Sequence, residues 1–112
     1  MTDCLFCKMV AGVIKPEVVF EDEQVLAFRD INPQAPVHIL IIPKRHIASL
    51  NDLDDIQLSG QLLQTAIKLA KQENLAEMGY RTVFNCNQHG GQEVYHLHLH
   101  LLGGRQMIWP PG

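Results

Sequence analysis

The chain has 112 residues, about one domain's worth, with 46% hydrophobic and 19% charged residues and no low-complexity tract, a balance that excludes a disordered polymer. Its formal net charge of −3 lacks the basic excess that a nucleic-acid partner demands. The longest apolar run, within "VHILIIP", is far short of the roughly 20 residues that cross a bilayer, so no membrane partner is expected.

In chain order, Leu5, Phe6 and Met9 fall at helical spacing, which predicts a short helix over 3–11 capped by Thr2 or Asp3 and stopped by Gly12. Asp3 and the lack of a basic stretch before an apolar one make a secretory signal unexpected, so the cytoplasm is the expected location. "EVVFEDEQVLAFRDI" reads as a β-hairpin hinged on Glu21, Asp22 and Glu23, "NPQAP" as a loop, and "VHILIIP" as a third strand covered on both faces. Leu58, Leu62, Leu63, Ala66, Ile67, Leu69 and Ala70 recur at threes and fours, predicting a long helix over 54–71 with Asn51 and Asp52 as caps. "YRTVFNC" is the fourth strand, "NQHGGQ" a glycine turn, and "EVYHLHLHLL" the fifth strand. The expected class is α+β: a five-stranded antiparallel sheet with one short N-terminal and one long central helix on one face. Residues 1–112 make a single domain, of which 103–112 form an irregular tail.

The segment "HLHLHLL" carries half of the six histidines. In a strand, His96, His98 and His100 share one side with Val94, while Tyr95, Leu97, Leu99 and Leu101 share the other. The leucine side is the core side, so the imidazoles face a polar cleft. His96 and His100 would stand about 13 Å apart at Cα, so at most two of the three can share a metal ion. Upstream, "HGGQE" offers glycine amides that can approach an anion closely. A phosphate seated on that turn would present its phosphorus to a neutral imidazole.

"HLHLHLL", with "FRDINPQAP", "PKRHI", "GYR", "GGQEVYH" and "LLGGRQMIWPPG", resembles the histidine-triad (HIT) superfamily, Hint branch, over almost the whole chain. The resemblance implies a HIT-like fold whose sheet is extended across a homodimer, and a purine nucleoside phosphoramidase that cleaves the P–N bond of AMP-amine substrates and releases AMP. His98 is then the nucleophile forming a covalent nucleotidyl-histidine, His100 a donor to phosphate oxygens or to the leaving amine, and His96 the third catalytic histidine. Asn85, Gly91 and Gln92 fall at phosphate-site positions. Asp30 would accept the ribose hydroxyls with Ile31 beside it, and Leu5, Phe6, Met9 and Phe28 would sandwich the purine; for Leu5 and Met9 plain core packing is the competing reading. Glu93 stands where eukaryotic members carry serine, and either repels polyphosphates or relays a proton. The alternatives are a dinucleoside polyphosphate hydrolase and a non-catalytic nucleotide-binding or zinc-stabilised interaction protein.

Cys4 and Cys7 make a C-x-x-C, which is either half of a tetrahedral zinc site or two small buried thiols. Some relatives complete such a site with histidines equivalent to His46 and His96, which implies a structural zinc here and no catalytic cofactor. His46 otherwise reads as a polar relay toward the active site. His38 and His89 read as surface or turn residues and Cys86 as an ordinary thiol. Trp109 sits in a proline-bracketed tail that cannot form its own core, and the resemblance implies that this tail reaches the dimer partner as a specificity element.

Overall fold

The computed structural model describes residues 3–112. Helix α1 spans Leu5–Val10, strands β1 Val18–Glu21, β2 Val25–Arg29 and β3 Val37–Pro43, helix α2 Ile56–Gln72, strand β4 Tyr80–Phe84, helix α3 Asn87–Gly90 and strand β5 Leu99–Gly103. The five strands pair antiparallel in the order β1-β2-β3-β5-β4, so the last strand in sequence is inserted between β3 and β4. The expected α+β class with one short and one long helix is what forms, with α3 as an additional single turn. Among the described residues no helix is long and apolar enough to cross a membrane.

Local chemistry accounts for the element ends. Asp22 Oδ1 accepts the N–H groups of Gln24 and Val25, both at 2.8 Å, which closes the β1–β2 hairpin on the acidic hinge. Asp55, and not Asn51 or Asp52, caps α2 by accepting the Leu58 N–H at 3.0 Å; those two residues lie in a 3-10 turn at Leu50–Asp52. At α1 the predicted cap Thr2 lies outside the described residues. Cys4 is the N-cap, its sulfur 3.3 Å from the Cys7 amide.

Strand alternation sorts the core into two faces. Val25, Ala27, Ile39, Ile41, Leu99 and Leu101 pack against Leu58, Leu62, Ala66 and Leu69 of α2. Each leucine fully buried there contributes on the order of 2 kcal/mol. Leu26, Phe28, Leu40 and Ile42 point the other way and pack against Phe6 of α1. The helices therefore cover opposite faces of the sheet and do not share one, as the element order had suggested. Phe6 is the only buried residue of α1, so this helix is a light cover over one half of its face. The rest of that face is left open beneath His98 and His100.

The fifth strand is shorter than the ten residues expected. Regular pairing begins at Leu99, where β3 on one side and β4 on the other both supply partners; 92–98 is an unladdered approach that bends at 94–96. Past the bend the period of two holds, with Leu97, Leu99 and Leu101 in the α2 core; Val94 packs with the Phe6 cluster, but Tyr95, expected on the core side with the leucines, is half-exposed because the bend at 94–96 turns it outward. Gly103 still belongs to β5, so the irregular tail begins at Gly104.

Candidate active site

The uncovered half of the sheet carries a cavity of about 900 Å³. His98 and His100 form its floor with Phe28 and Leu40; Asp30 and Ile31 stand at one side; Asn85, Gly91 and Glu93 stand at another; and Leu5, Phe6 and Met9 of α1 make the wall. Gly91 reaches the cavity because α3 ends there in a left-handed conformation, φ 75°, which turns the chain back toward the histidine strand. Phe6 sets its ring edge-on to His98 at 5.2 Å between centroids and to Phe28 at 5.4 Å.

Two of the three histidines that line the cavity, His98 and His100, have opposite hydrogen-bonding faces. Nδ1 of His98 lies 2.8 Å from the backbone carbonyl oxygen of His96, so this nitrogen carries the proton and donates. Nε2 is left with its lone pair free. Burial holds the ring's pKa below the usual imidazole value, against the opposing pull of the His96 carbonyl and Asp30, so the ring is neutral near pH 7. His100 is held the other way. The Gln34 N–H donates to His38 Nδ1 at 3.0 Å, so His38 carries its proton on Nε2, which donates to His100 Nδ1 at 2.9 Å. His100 must then carry its own proton on Nε2, a buried nitrogen with no partner among the described residues. Burial first, then the neighbouring His98 and His38, bring its pKa down to about 4. A neutral imidazole with a bare donor on a cavity floor is built to meet an acceptor oxygen.

His38, expected at the surface or in a turn, is instead buried and holds this chain of bonds with Asp30, whose Oδ2 is 3.5 Å away. The signal for it was present: one histidine inside the apolar run of the central strand has no solvent to satisfy it. Gln92 is the reverse case. Its side chain does not border the cavity but braces the turn, Oε1 accepting the Asn87 N–H at 3.0 Å and Nε2 donating to the carbonyls of Ala48 and Val94 at 2.8 and 3.1 Å. His96 likewise is absent from the cavity surface, so its ring has no catalytic position there. Trp109 is 81% exposed and lies over the Arg81 guanidinium at 6.0 Å, while Pro111 of the same tail borders the cavity of its own chain.

The ring of His96 belongs to a second cluster on the far side of Phe6. Its Nε2–H donates to the Pro43 carbonyl at 2.8 Å, leaving Nδ1 as a lone pair 3.3 Å from Cys4 Sγ and 3.5 Å from Cys7 Sγ; His46 Nδ1 is 3.3 Å from Cys7 Sγ. All four ligand atoms lie within 4.8 Å of one another. Sulfur and nitrogen ligands on a tetrahedral zinc are separated by about 3.5 Å, given bond lengths of about 2.3 and 2.0 Å. The donor set, its spacing and the carbonyl that orients His96 fit that ion. Burial, then the neighbouring Cys4, pushes the Cys7 thiol up, which a bound cation would reverse.

Residues 11–107 match the family model described as "HIT domain". The chain belongs to the HIT domain family. The HIT chain is 50% identical over 107 residues to the purine nucleoside phosphoramidase of Escherichia coli K12, covering 94% of this chain and 90% of that one. It is 55% identical over 112 residues to a 14 kDa zinc-binding protein of Zea mays, covering 96% and 87%. Among solved structures, a HIT family hydrolase of Legionella pneumophila Philadelphia 1 superposes with a TM-score of 0.96 at 64% identity, covering 98% of this chain and all of that one. Like the Escherichia coli and Legionella pneumophila relatives, the chain is a hydrolase.

Proposed function

We propose that the protein hydrolyses purine nucleotides joined through phosphorus to an amine, with His98 as the nucleophile. The observation that carries this is the Nδ1–H bond from His98 to the His96 carbonyl, which leaves Nε2 as an unprotonated nucleophile over a cavity of nucleotide size. Nε2 attacks the α-phosphorus as the P–N bond breaks; the electron pair leaves with the nitrogen, which takes a proton from water and departs as the amine. Water then attacks the phosphorus, the P–Nε2 bond breaks, and AMP is released with the lone pair returned to His98. His100 donates its Nε2–H to a phosphoryl oxygen throughout. Being already neutral, it is a poor source of the proton the amine needs, so oxygen stabilisation is the better of its two expected roles. Asp30 and Ile31 flank the ribose, Leu5, Met9 and the contacting rings of Phe6 and Phe28 line the purine side, and Asn85, Gly91 and Glu93 border the phosphate.

The same reading includes a structural zinc on Cys4, Cys7, His46 and His96, supported by the ligand spacing and by the name of the maize relative. Zinc there cross-links α1 to the sheet, and a cytoplasmic location keeps both thiols reduced. It also includes a homodimer with a continuous sheet and a tail that reaches the partner. An unpaired β4 edge and the exposed Ile108 and Trp109 are what support that part.

The test is to incubate the protein with adenosine phosphoramidate, AMP-lysine and diadenosine tetraphosphate in parallel and to quench turnover of labelled substrate. Preference for the amine-linked substrates and an acid-labile nucleotide on His98, absent in His98→Ala, are expected. Preference for the tetraphosphate, or no trapped adduct, refutes the reading.

A further inference from the structure

We propose that the Cys4, Cys7, His46 and His96 cluster governs the affinity of the neighbouring cavity for nucleotide, with α1 as the coupling element. The inference rests on the cavity being the nucleotide site. Two structural links join the cluster to it. The first is α1, whose N-cap Cys4 and internal Cys7 supply both sulfurs and whose Leu5, Phe6 and Met9 supply the cavity wall. A single buried side chain, Phe6, otherwise anchors this helix, and the Phe6 ring lies against both His96 and His98, at 5.8 and 5.2 Å. The second link is His96 itself. Its ring offers Nδ1 to the sulfurs while its carbonyl holds Nδ1–H of His98.

An ion on the four ligands therefore orders the same helix and the same histidine segment that a nucleotide must order when it enters. Whichever arrives first removes part of the ordering cost for the other. Thermodynamic linkage requires the effect to be mutual: the factor by which zinc tightens nucleotide is the factor by which nucleotide tightens zinc.

Competition of the full-length, reduced, zinc-loaded protein against a chromophoric chelator, with and without saturating AMP, measures this without reference to turnover. AMP is expected to tighten zinc about tenfold, within the usual range of coupling between sites, and the metal-free protein is expected to bind AMP weaker by the same factor in calorimetry. Identical zinc affinity with and without AMP, in a protein that binds AMP when loaded, overturns the coupling and leaves the proposed activity standing. Loaded protein that binds no AMP refutes the nucleotide reading and the coupling with it, and failure to take up zinc refutes the coupling alone. Phe6→Leu keeps all four ligands and removes the ring between the sites. It should retain zinc affinity and lose most of the linkage; full linkage in this variant would show that zinc acts through global folding, and would overturn the route through α1.

Discussion

Nε2 of His38 lies 2.9 Å from Nδ1 of His100, and the bond runs in one direction only because the Gln34 amide occupies the far nitrogen of His38. A backbone N–H four residues upstream of His38 thus decides which nitrogen of His100 faces the cavity. His38→Leu should free His100 to adopt the other tautomer and present a lone pair to the phosphoryl oxygen. The expected loss is about 10²-fold in kcat, with a smaller change in KM. His100→Gln, which keeps an N–H donor, should retain more turnover than His100→Leu. Equal loss in the two His100 variants would remove the donor role.

Burial lowers the pKa of His38, His96 and His98, and His100 falls to about 4. The unfolded chain, with imidazoles near 6.5, binds more protons than the folded one between those values, so stability rises with pH there. The melting temperature should be flat above pH 7 and fall as the pH is taken from about 6.5 toward 4. The acid limb of kcat/KM should lie below 6.5 for the same reason. A melting temperature that is level across this window contradicts the buried, neutral state of the four rings.

Gln92 separates bracing from binding. Its amide makes three hydrogen bonds to backbone groups of Asn87, Ala48 and Val94. Gln92→Ala should cost about 2–3 kcal/mol in urea unfolding, at roughly 1 kcal/mol per bond. Affinity for AMP in the fraction that remains folded should change much less. A large loss of AMP affinity at unchanged stability would put the side chain on the phosphate instead.

Gly91 and Gly104 both have positive φ, at 75° and 92°, but different surroundings. A Cβ on Gly91 meets nothing within 4 Å, whereas one on Gly104 comes within 2.9 Å of Pro36 Cβ. Gly91→Ala should cost about 1–2 kcal/mol from the left-handed backbone alone, with Gly91→Asn milder. Gly104→Ala should cost more, because a proline ring cannot swing aside. The order of denaturation midpoints checks this.

Periodicity made most of the fold readable. The 3.6-residue pattern of α2 and the alternation of His98 and His100 with Leu97, Leu99 and Leu101 depend on side chains a few positions apart, and both stand in the structure. What spacing could not convey was the third dimension. Nothing local says that α1 crosses to the face opposite α2, since a six-residue helix burying Phe6 alone carries no strong directional pattern. Nor does spacing tell which histidines point at which neighbours: His96 shares a side with His98 yet ends among sulfurs, because the unpaired stretch before Leu99 is free to fold over Phe6 toward Cys4. The hydrogen bonds of His38 and Gln92 escape the sequence for one reason. Their roles are set by backbone groups, Gln34 N–H in one case and the Ala48 carbonyl in the other, that a pattern of side chains does not display.

The placement of β5 between β3 and β4 has a consequence for folding. In chain order four strands precede the one that joins β3 to β4, so both keep bare edges until residues 99–103 insert between them. The histidine floor comes together only when that insertion occurs, so a partly folded polypeptide is exposed to aggregation, and has no working centre, before then.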